Sequence, residues 1–209
     1  MLGEALFDAL VGSRNGLAFT EHDYDEVWSL VSHPDRKVHL AIEPMLEWLG
    51  KLDPANAIPR GDYPFVLAAG QRRMFNANQI FRDPAWRRDD PDGALLISAA
   101  DLASLGAEDG EWIAVQSAGG RLVARCKRDD SMRSGQLALP HGYGQDYPAA
   151  DGERLNNGPR VNVLTESGNR DPIAGTPYHK HVPVRLERLA AAEAAAYEAA
   201  SRRIHRAPA

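Results

Sequence analysis

From Tyr63 to Pro140 the apolar residues come in short runs closed by glycine or proline, with one short helical segment among them. This pattern constrains the fold more than any other feature of the chain. A doubly wound sheet needs a crossover helix of a dozen or more residues between parallel neighbours. Here there is room for too few of them. Tyr63–Ala69 (YPFVLAA) and Ala94–Ile97 are continuous apolar runs, as in strands buried on both faces. Glu111–Ser117 alternates instead. Trp112, Ala114 and Gln116 face one way, and Ile113, Val115 and Ser117 the other. Ala118-Gly119-Gly120 makes a tight turn, and Arg121–Lys127 returns as the second arm of a hairpin. Leu122, Ala124 and Cys126 share one face of that arm, opposite Arg121, Arg125 and Lys127. Gly135–Pro140 supplies one more strand, while Ser98 caps a short helix, Ala99–Leu105, that Gly106 ends. Short strands, tight turns and few helices predict a mainly β domain, a small closed or nearly closed barrel with flanking helices.

The flanks read differently. Leu2, Leu6, Ala9 and Leu10 recur at helical spacing until Gly12. Thr20 is placed to cap a second helix over Asp23–Val31, with Pro34 just beyond. A third helix starts at Pro44 and runs to about Leu52. The segment Asp53–Asp62 (DPANAIPRGD) is a connector. The expected organisation is a helical segment over 1–60, a barrel over 61–188 and a helical tail over 189–209. Gly142–Pro159 and Asp171–His181 read as loops, and Val161–Thr165 as a helical turn or a short strand. The alanine-rich stretch Arg185–His205 predicts a terminal helix. Its apolar stripe (Leu186, Leu189, Tyr197, Ile204) is thin, which predicts loose docking.

Composition removes several classes of function. The 24 basic and 29 acidic residues leave a net charge of −5, against broad nonspecific binding to nucleic acid or anionic membranes. One cysteine, Cys126, excludes an internal disulfide, a CxxC zinc knuckle and an iron–sulfur cluster held by this chain's own thiolates. On the apolar face of a hairpin arm, it reads as a small buried hydrophobe. No apolar run approaches the roughly 20 residues that span a bilayer. The start, MLGEALFDALVGSRNG, carries acids early and lacks the basic opening of a signal peptide. A cytoplasmic protein with no nucleic-acid partner and no membrane span is expected.

Chemistry gathers at loops that leave strands. In Gly70–Trp86 (GQRRMFNANQIFRDPAW) a glycine follows a strand, and Arg72 and Arg73 precede a short helical stretch. Guanidinium forks beside helix-start amides suit a phosphate, and Asn76 and Asn78 suit sugar hydroxyls or base edges. Judged alone, the stretch reads first as a solvated loop with ordinary surface arginines. His141-Gly142-Tyr143-Gly144 follows a strand ending at Pro140, and its glycines allow close backbone approach to a ligand. His179 and His181 share a face, but a metal needs a third ligand that the neighbourhood does not offer, so no metal site is expected.

Taken in order, GQRR, LLISAADLASLGAEDGEWIAVQSAGG, HGYG, RVNVLT and DPIAGTPYHKHVPVRLE resemble the C-terminal, molybdopterin-dinucleotide-binding domain of the molybdenum and tungsten oxidoreductases. That family includes formate dehydrogenases, nitrate reductases and dimethyl sulfoxide reductases. The resemblance runs from about Tyr63 to Leu189. It implies a double-psi β-barrel whose rim loops cover molybdopterin guanine dinucleotide. It places Gly70, Gln71, Arg72 and Arg73 near a pyrophosphate or the pterin, with Asn78 close by. It has His141 and Gly142 line the groove, Asn162 donate to the pterin, and Tyr178, His179 and Lys180 close over it. The GQRR turn and the PYHKHVPVRLE tail lean toward the formate dehydrogenase and nitrate reductase side of the family, with formate dehydrogenase the first expectation. In such enzymes the metal ligand and the iron–sulfur cysteines lie N-terminal to this domain. The resemblance therefore implies a module with no catalytic residue or metal of its own, which completes a catalytic chain or missing domains. A barrel used only for assembly, without cofactor, is the alternative.

Overall fold

The apolar runs after Asp62 do become strands, and six strands close into a barrel. The structure, a computed structural model, describes residues 3–19, 21–53, 61–71, 83–87, 90–149 and 151–205. In chain order the strands are β1 (Phe65–Gln71), β2 (Leu95–Ile97), β3 (Trp112–Gln116), β4 (Arg121–Arg128), β5 (Gln136–Pro140), β6 (Gln145–Pro148), β7 (Arg154–Asn157) and β8 (Val182–Arg188). Around the barrel the order is β1-β5-β2-β4-β3-β8, and β8 returns to β1, while β6 and β7 pair apart from it. Two neighbouring pairs of the barrel are parallel, β1 with β5 and β2 with β4, and the rest are antiparallel. Such mixed pairing with few helices needs strands that cross over the barrel ends, as expected of a double-psi barrel. Leu67, Leu95, Ile97, Ile113, Val115 and Leu139 point inward and are buried in the core they share.

The alternation in β3 sorts its side chains as expected. Ile113 and Val115 enter the barrel core, while Trp112 and Ala114 face outward with Val123 of β4. Cys126 joins the core at 1% exposure, and burial raises its thiol pKa. The chain has four α-helices among the described residues: α1 (Gly3–Gly12), α2 (Glu43–Gly50), α3 (Ala99–Leu105) and α4 (Ala191–His205). Ser98 caps α3, and its hydroxyl accepts from Asp101 N at 3.1 Å. Asp101 then accepts from Gly135 N at 2.9 Å and Ser134 Oγ at 2.7 Å, tying α3 to the start of β5.

Three expectations need correction. Gly142–Pro159 is not all loop, because β6 and β7 form an antiparallel hairpin within it. The hairpin is held by backbone pairing and has no alternating apolar face, so hydrophobic period does not reveal it. Arg185–His205 is not one helix. Val182, Val184 and Leu186 alternate into the core as β8, and α4 begins only at Ala191. Nor does α4 rest on its thin apolar stripe alone. Ser201 Oγ donates to Asp92 Oδ1 at 2.8 Å, and His205 Nε2 meets the same oxygen at 2.8 Å. Burial would raise the Asp92 pKa, but the His205 and Ser201 hydrogen bonds, aided by the Arg125 charge, hold it below its ordinary value.

Glu198 of α4 shows the same logic. It accepts from Trp112 Nε1 at 3.0 Å, Arg125 Nη2 at 2.6 Å and Arg202 Nε at 2.9 Å. The Trp112 bond leads, and together with the two arginines it lowers the carboxyl pKa from 4.5 to about 2. A depressed carboxyl pKa contributes stability that is present above about pH 4.5 and is lost as pH falls toward about 2. Discounted for partial exposure, the contribution is about 1–2 kcal/mol. Glu198→Gln should therefore unfold more easily than the parent in urea at pH 7, with the gap closing as the pH approaches 2.

Contacts divide the chain into two units, Met1–Lys51 and Leu52–Ala209. The first contains α1, a short 3-10 helix over Tyr24–Leu30, and α2. The expected α-helix over Asp23–Val31 is thus only seven residues of 3-10 helix, capped by Asp23, whose side chain accepts from Asp25 N at 3.2 Å. Its sequence YDEVWSL has only Glu26 and Leu30 as strong helix formers, whereas α2 (EPMLEWLG) has five, so the shorter 3-10 turn forms here. The expected cap Thr20 lies outside the described residues. No described residue of this unit is buried, and Phe7, Val11, Trp28, Leu40 and Trp48 are exposed. Among the described residues no helix is long and apolar enough to cross a membrane.

Candidate functional site

The candidate site is set by strand direction. β1 and β5 run parallel, so both finish at the same rim, with Gln71 opposite Pro140. β8 runs antiparallel to β1, so the residues just before it arrive there too. The register of β1 against β5 shifts between Ala68 and Gln71, and Gly70 lies in that irregularity with φ +74°. Its open side faces His141, whose Cβ would stand 3.9 Å from a side-chain carbon at position 70. Lys180 reaches the same corner. Its Nζ donates to Gly70 O at 3.0 Å and to Ala69 O at 3.4 Å.

Beyond Pro140 the chain makes the turn His141–Gly144. Gly142 and Gly144 both have positive φ, 85° and 76°. Tyr143 turns inward and donates from Oη to Asp90 O at 2.6 Å. Arg87 lies over its ring at 4.1 Å and is only 2% exposed. The Arg87 fork donates to Gly142 O at 3.3 Å and to Asn157 O at 3.4 Å. Burial pulls its pKa below the ordinary value, opposed by Tyr143, Asp90 and Asp92. Arg87 is therefore an internal rivet that fixes the turn.

Facing the turn is the 3-10 segment Val161–Leu164. Val161 and Leu164 are buried, which leaves Asn162 and Val163 exposed. Between the two walls lies a groove of about 700 Å³, lined by His141, Gly142, Gly144, Asp146, Arg160 and Asn162 among others. Its size falls within the usual range for ligand clefts. The polar groups are diverse: an amide, an imidazole, a guanidinium and a carboxylate.

Of the residues expected at the site, the structure brings His141, Gly142 and Asn162 into one groove, with Gly70 and Lys180 at its corner. Gln71 is the last residue of β1 at that rim. Tyr178 and His179 lie on a separate loop, closed by a bridge between Arg170 and Pro177 and by Asp171 accepting from Ala174 N at 2.6 Å. Neither lines the groove. Arg72, Arg73 and Asn78 lie outside the described residues. Sequence reasoning missed Arg87, Tyr143, Asp146 and Arg160. Tyr143 and Arg160 had a signal, since each lies inside a motif singled out in the sequence, HGYG and RVNVLT; Arg87 and Asp146 had none.

A family model described as the molydopterin dinucleotide binding domain matches residues 65–183, more than half of the chain, from β1 through the first two residues of β8. The chain belongs to the molybdopterin dinucleotide-binding domain family. These domains are found in molybdenum and tungsten oxidoreductases and bind the molybdopterin dinucleotide cofactor. Acetylene hydratase of Syntrophotalea acetylenica is 32% identical over 123 residues, covering 56% of this chain. The chain spans only 17% of that relative's length. A solved acetylene hydratase from Pelobacter acetylenicus covers 74% of this chain and 21% of its own, with 22% identity and a TM-score of 0.48.

The residues present fit a molybdopterin dinucleotide. An aminopyrimidinone edge needs paired donors and acceptors, which the exposed side-chain amide of Asn162 offers. Phosphates need cations, and Arg160 and Lys180 stand at the groove and its corner. Among the described residues no cluster of three or more His, Cys, Asp or Glu could hold a metal ion.

Proposed function

We propose that this molybdopterin dinucleotide-binding domain holds molybdopterin guanine dinucleotide in the groove between His141–Asp146 and Arg160–Val163, as one module of a larger oxidoreductase. The observation that carries the reading is the convergence of His141, Gly142 and Asn162 on one groove at the barrel rim. Asn162 supplies amide contacts to the pterin, the glycines let the backbone approach it, and His141 walls the groove. Gly70, Gln71 and Lys180 form the adjoining corner, and the phosphate roles of Arg72, Arg73 and Asn78 are proposed from their place in the sequence alone, after β1. Tyr178 and His179 approach from the neighbouring loop. The bound cofactor supplies the metal-carrying dithiolene on which the redox chemistry rests. This chain's side chains bind it, orient it and keep water off one side.

The module is completed by a catalytic chain or by further domains. The exposed apolar side chains of the Met1–Lys51 unit support this, because such surface favours docking to another protein. The GQRR turn and the PYHKHVPVRLE segment incline the specificity toward formate dehydrogenase, whereas the curated relative is named acetylene hydratase. Assaying the assembled enzyme for formate-dependent dye reduction and for acetylene hydration separates the two.

The groove itself is tested by incubating the full chain anaerobically with molybdopterin guanine dinucleotide and measuring retained pterin by the fluorescence of its oxidised product. Asn162→Ala and His141→Ala together should cut retention about tenfold, the cost of one or two lost polar contacts to a charged or strongly polar ligand. Retention equal to that of the parent chain would overturn the reading.

A further inference from the structure

We propose that Arg160 is the phosphate-binding arm of the groove and that Asp146 is its built-in competitor. The inference rests on the cofactor reading of the groove and adds how the anionic part of the ligand is held and released. Arg160 immediately precedes the 3-10 segment whose Val161 and Leu164 are anchored in the core, so its backbone is fixed. Its side chain crosses the groove. Nε donates to Gly144 O at 2.5 Å and Nη2 to Asp146 Oδ1 at 2.7 Å. Gly144 makes the crossing possible. A Cβ there would overlap Arg160 Cγ and stand 2.8 Å from Arg160 N.

Two facts set this guanidinium apart from Arg87. First, it is open to solvent: the Arg160 and Asp146 side chains are 55% and 53% exposed. An ion pair this exposed is weak and easily exchanged. Second, it is the one Lys or Arg among the described residues that line the groove. The two bonds engage two of its five N–H groups. A phosphate oxygen pair fits the guanidinium fork in two-point fashion and carries more charge than a single carboxylate. The phosphate therefore displaces Asp146 from Nη2. Asp146 is then left beside an anion of like charge, and this repulsion lowers the affinity. The ligand chemistry is a phosphate or pyrophosphate, either as the bridge of a dinucleotide or as a free ion.

The test uses the full chain titrated calorimetrically at low salt with guanosine diphosphate, guanosine and inorganic pyrophosphate. Arg160→Gln should weaken guanosine diphosphate binding about tenfold, leave guanosine unchanged and flatten the salt dependence. Asp146→Asn should tighten guanosine diphosphate binding several-fold, a gain that a merely structural role for the pair cannot produce. Comparable gains for pyrophosphate assign the effect to a free ion, and gains confined to the nucleotide assign it to a dinucleotide bridge. Asn162→Ala separates the two levels of the reading. If it cuts retention of the pterin cofactor while Arg160→Gln and Asp146→Asn leave guanosine diphosphate binding unchanged, the groove stands and this inference falls. If Asp146→Asn weakens binding, the inference also falls. If the parent chain binds neither guanosine diphosphate nor pyrophosphate, this inference falls, and pterin retention alone decides the groove.

Discussion

Gly158→Ala should lower the stability of the barrel domain by about 3–4 kcal/mol, read as a drop of about 10 °C in the thermal midpoint. Two costs add. Gly158 has φ +91°, a region that costs an alanine roughly 1–2 kcal/mol. A Cβ would also stand 2.6 Å from the backbone oxygen of Asp92 and 3.0 Å from the Tyr143 ring. Backbone cannot rotate out of the way as a side chain can, so relieving the clash moves the turn or the segment before β2, at about 2 kcal/mol. The control is Gly152→Ala in the β6–β7 hairpin, where φ is also positive (84°) but a Cβ meets nothing within 4 Å. It should show only the conformational part. Equal losses for the two variants would show that packing around Gly158 contributes nothing.

Arg87→Met should cost about 3 kcal/mol and should loosen the groove as well as the fold. The change keeps much of the side-chain bulk and removes the charge. It gives up a desolvated cation–π contact, worth about 2 kcal/mol, and withdraws the donor from Gly142 O and Asn157 O. Relief of the guanidinium's desolvation offsets part of this, so the sum of the losses is an upper bound. Arg87→Lys should not rescue, because an ammonium neither stacks flat on Tyr143 nor spans two carbonyls as a fork. Urea unfolding measures the stability, and hydrogen exchange of the amides from His141 to Gly144 measures the groove. A Met variant as stable as the parent, with those amides equally protected, contradicts the role of rivet.

Much of the barrel was legible because its strands obey simple periods. β3 and β4 alternate, β1 and β2 are continuous apolar runs, and α3 carries a serine cap and a glycine stop. β8 was hidden by its C-terminal neighbours. Its alternating Val182, Val184 and Leu186 run into Arg-Leu-Glu-Arg-Leu and then an alanine-rich helix, and the helical composition masks the strand. The β6–β7 hairpin was hidden because its pairing depends on backbone, not on an apolar face. At the candidate site, motif order singled out the histidine–glycine turn and Asn162, which the structure brings into one groove. Arg87 was not legible, because an arginine buried to 2% violates the usual partition of charge, and only its distant partners, Gly142, Tyr143 and Asn157, explain it. The pairing of Asp146 with Arg160 was not, because their meeting is a product of the turn at Gly144, not of sequence spacing.

The position of β8 bears on how the chain is made. β1, the first strand, is flanked by β5 and β8, the last two of the barrel, and β3 also leans on β8. Until residues 182–188 leave the ribosome, both β1 and β3 present a row of unsatisfied peptide groups to whatever strand passes by. Nascent chains are therefore exposed to mispairing from the emergence of β3 until that of β8, and termination between Pro140 and Val182 yields an open sheet with two free edges.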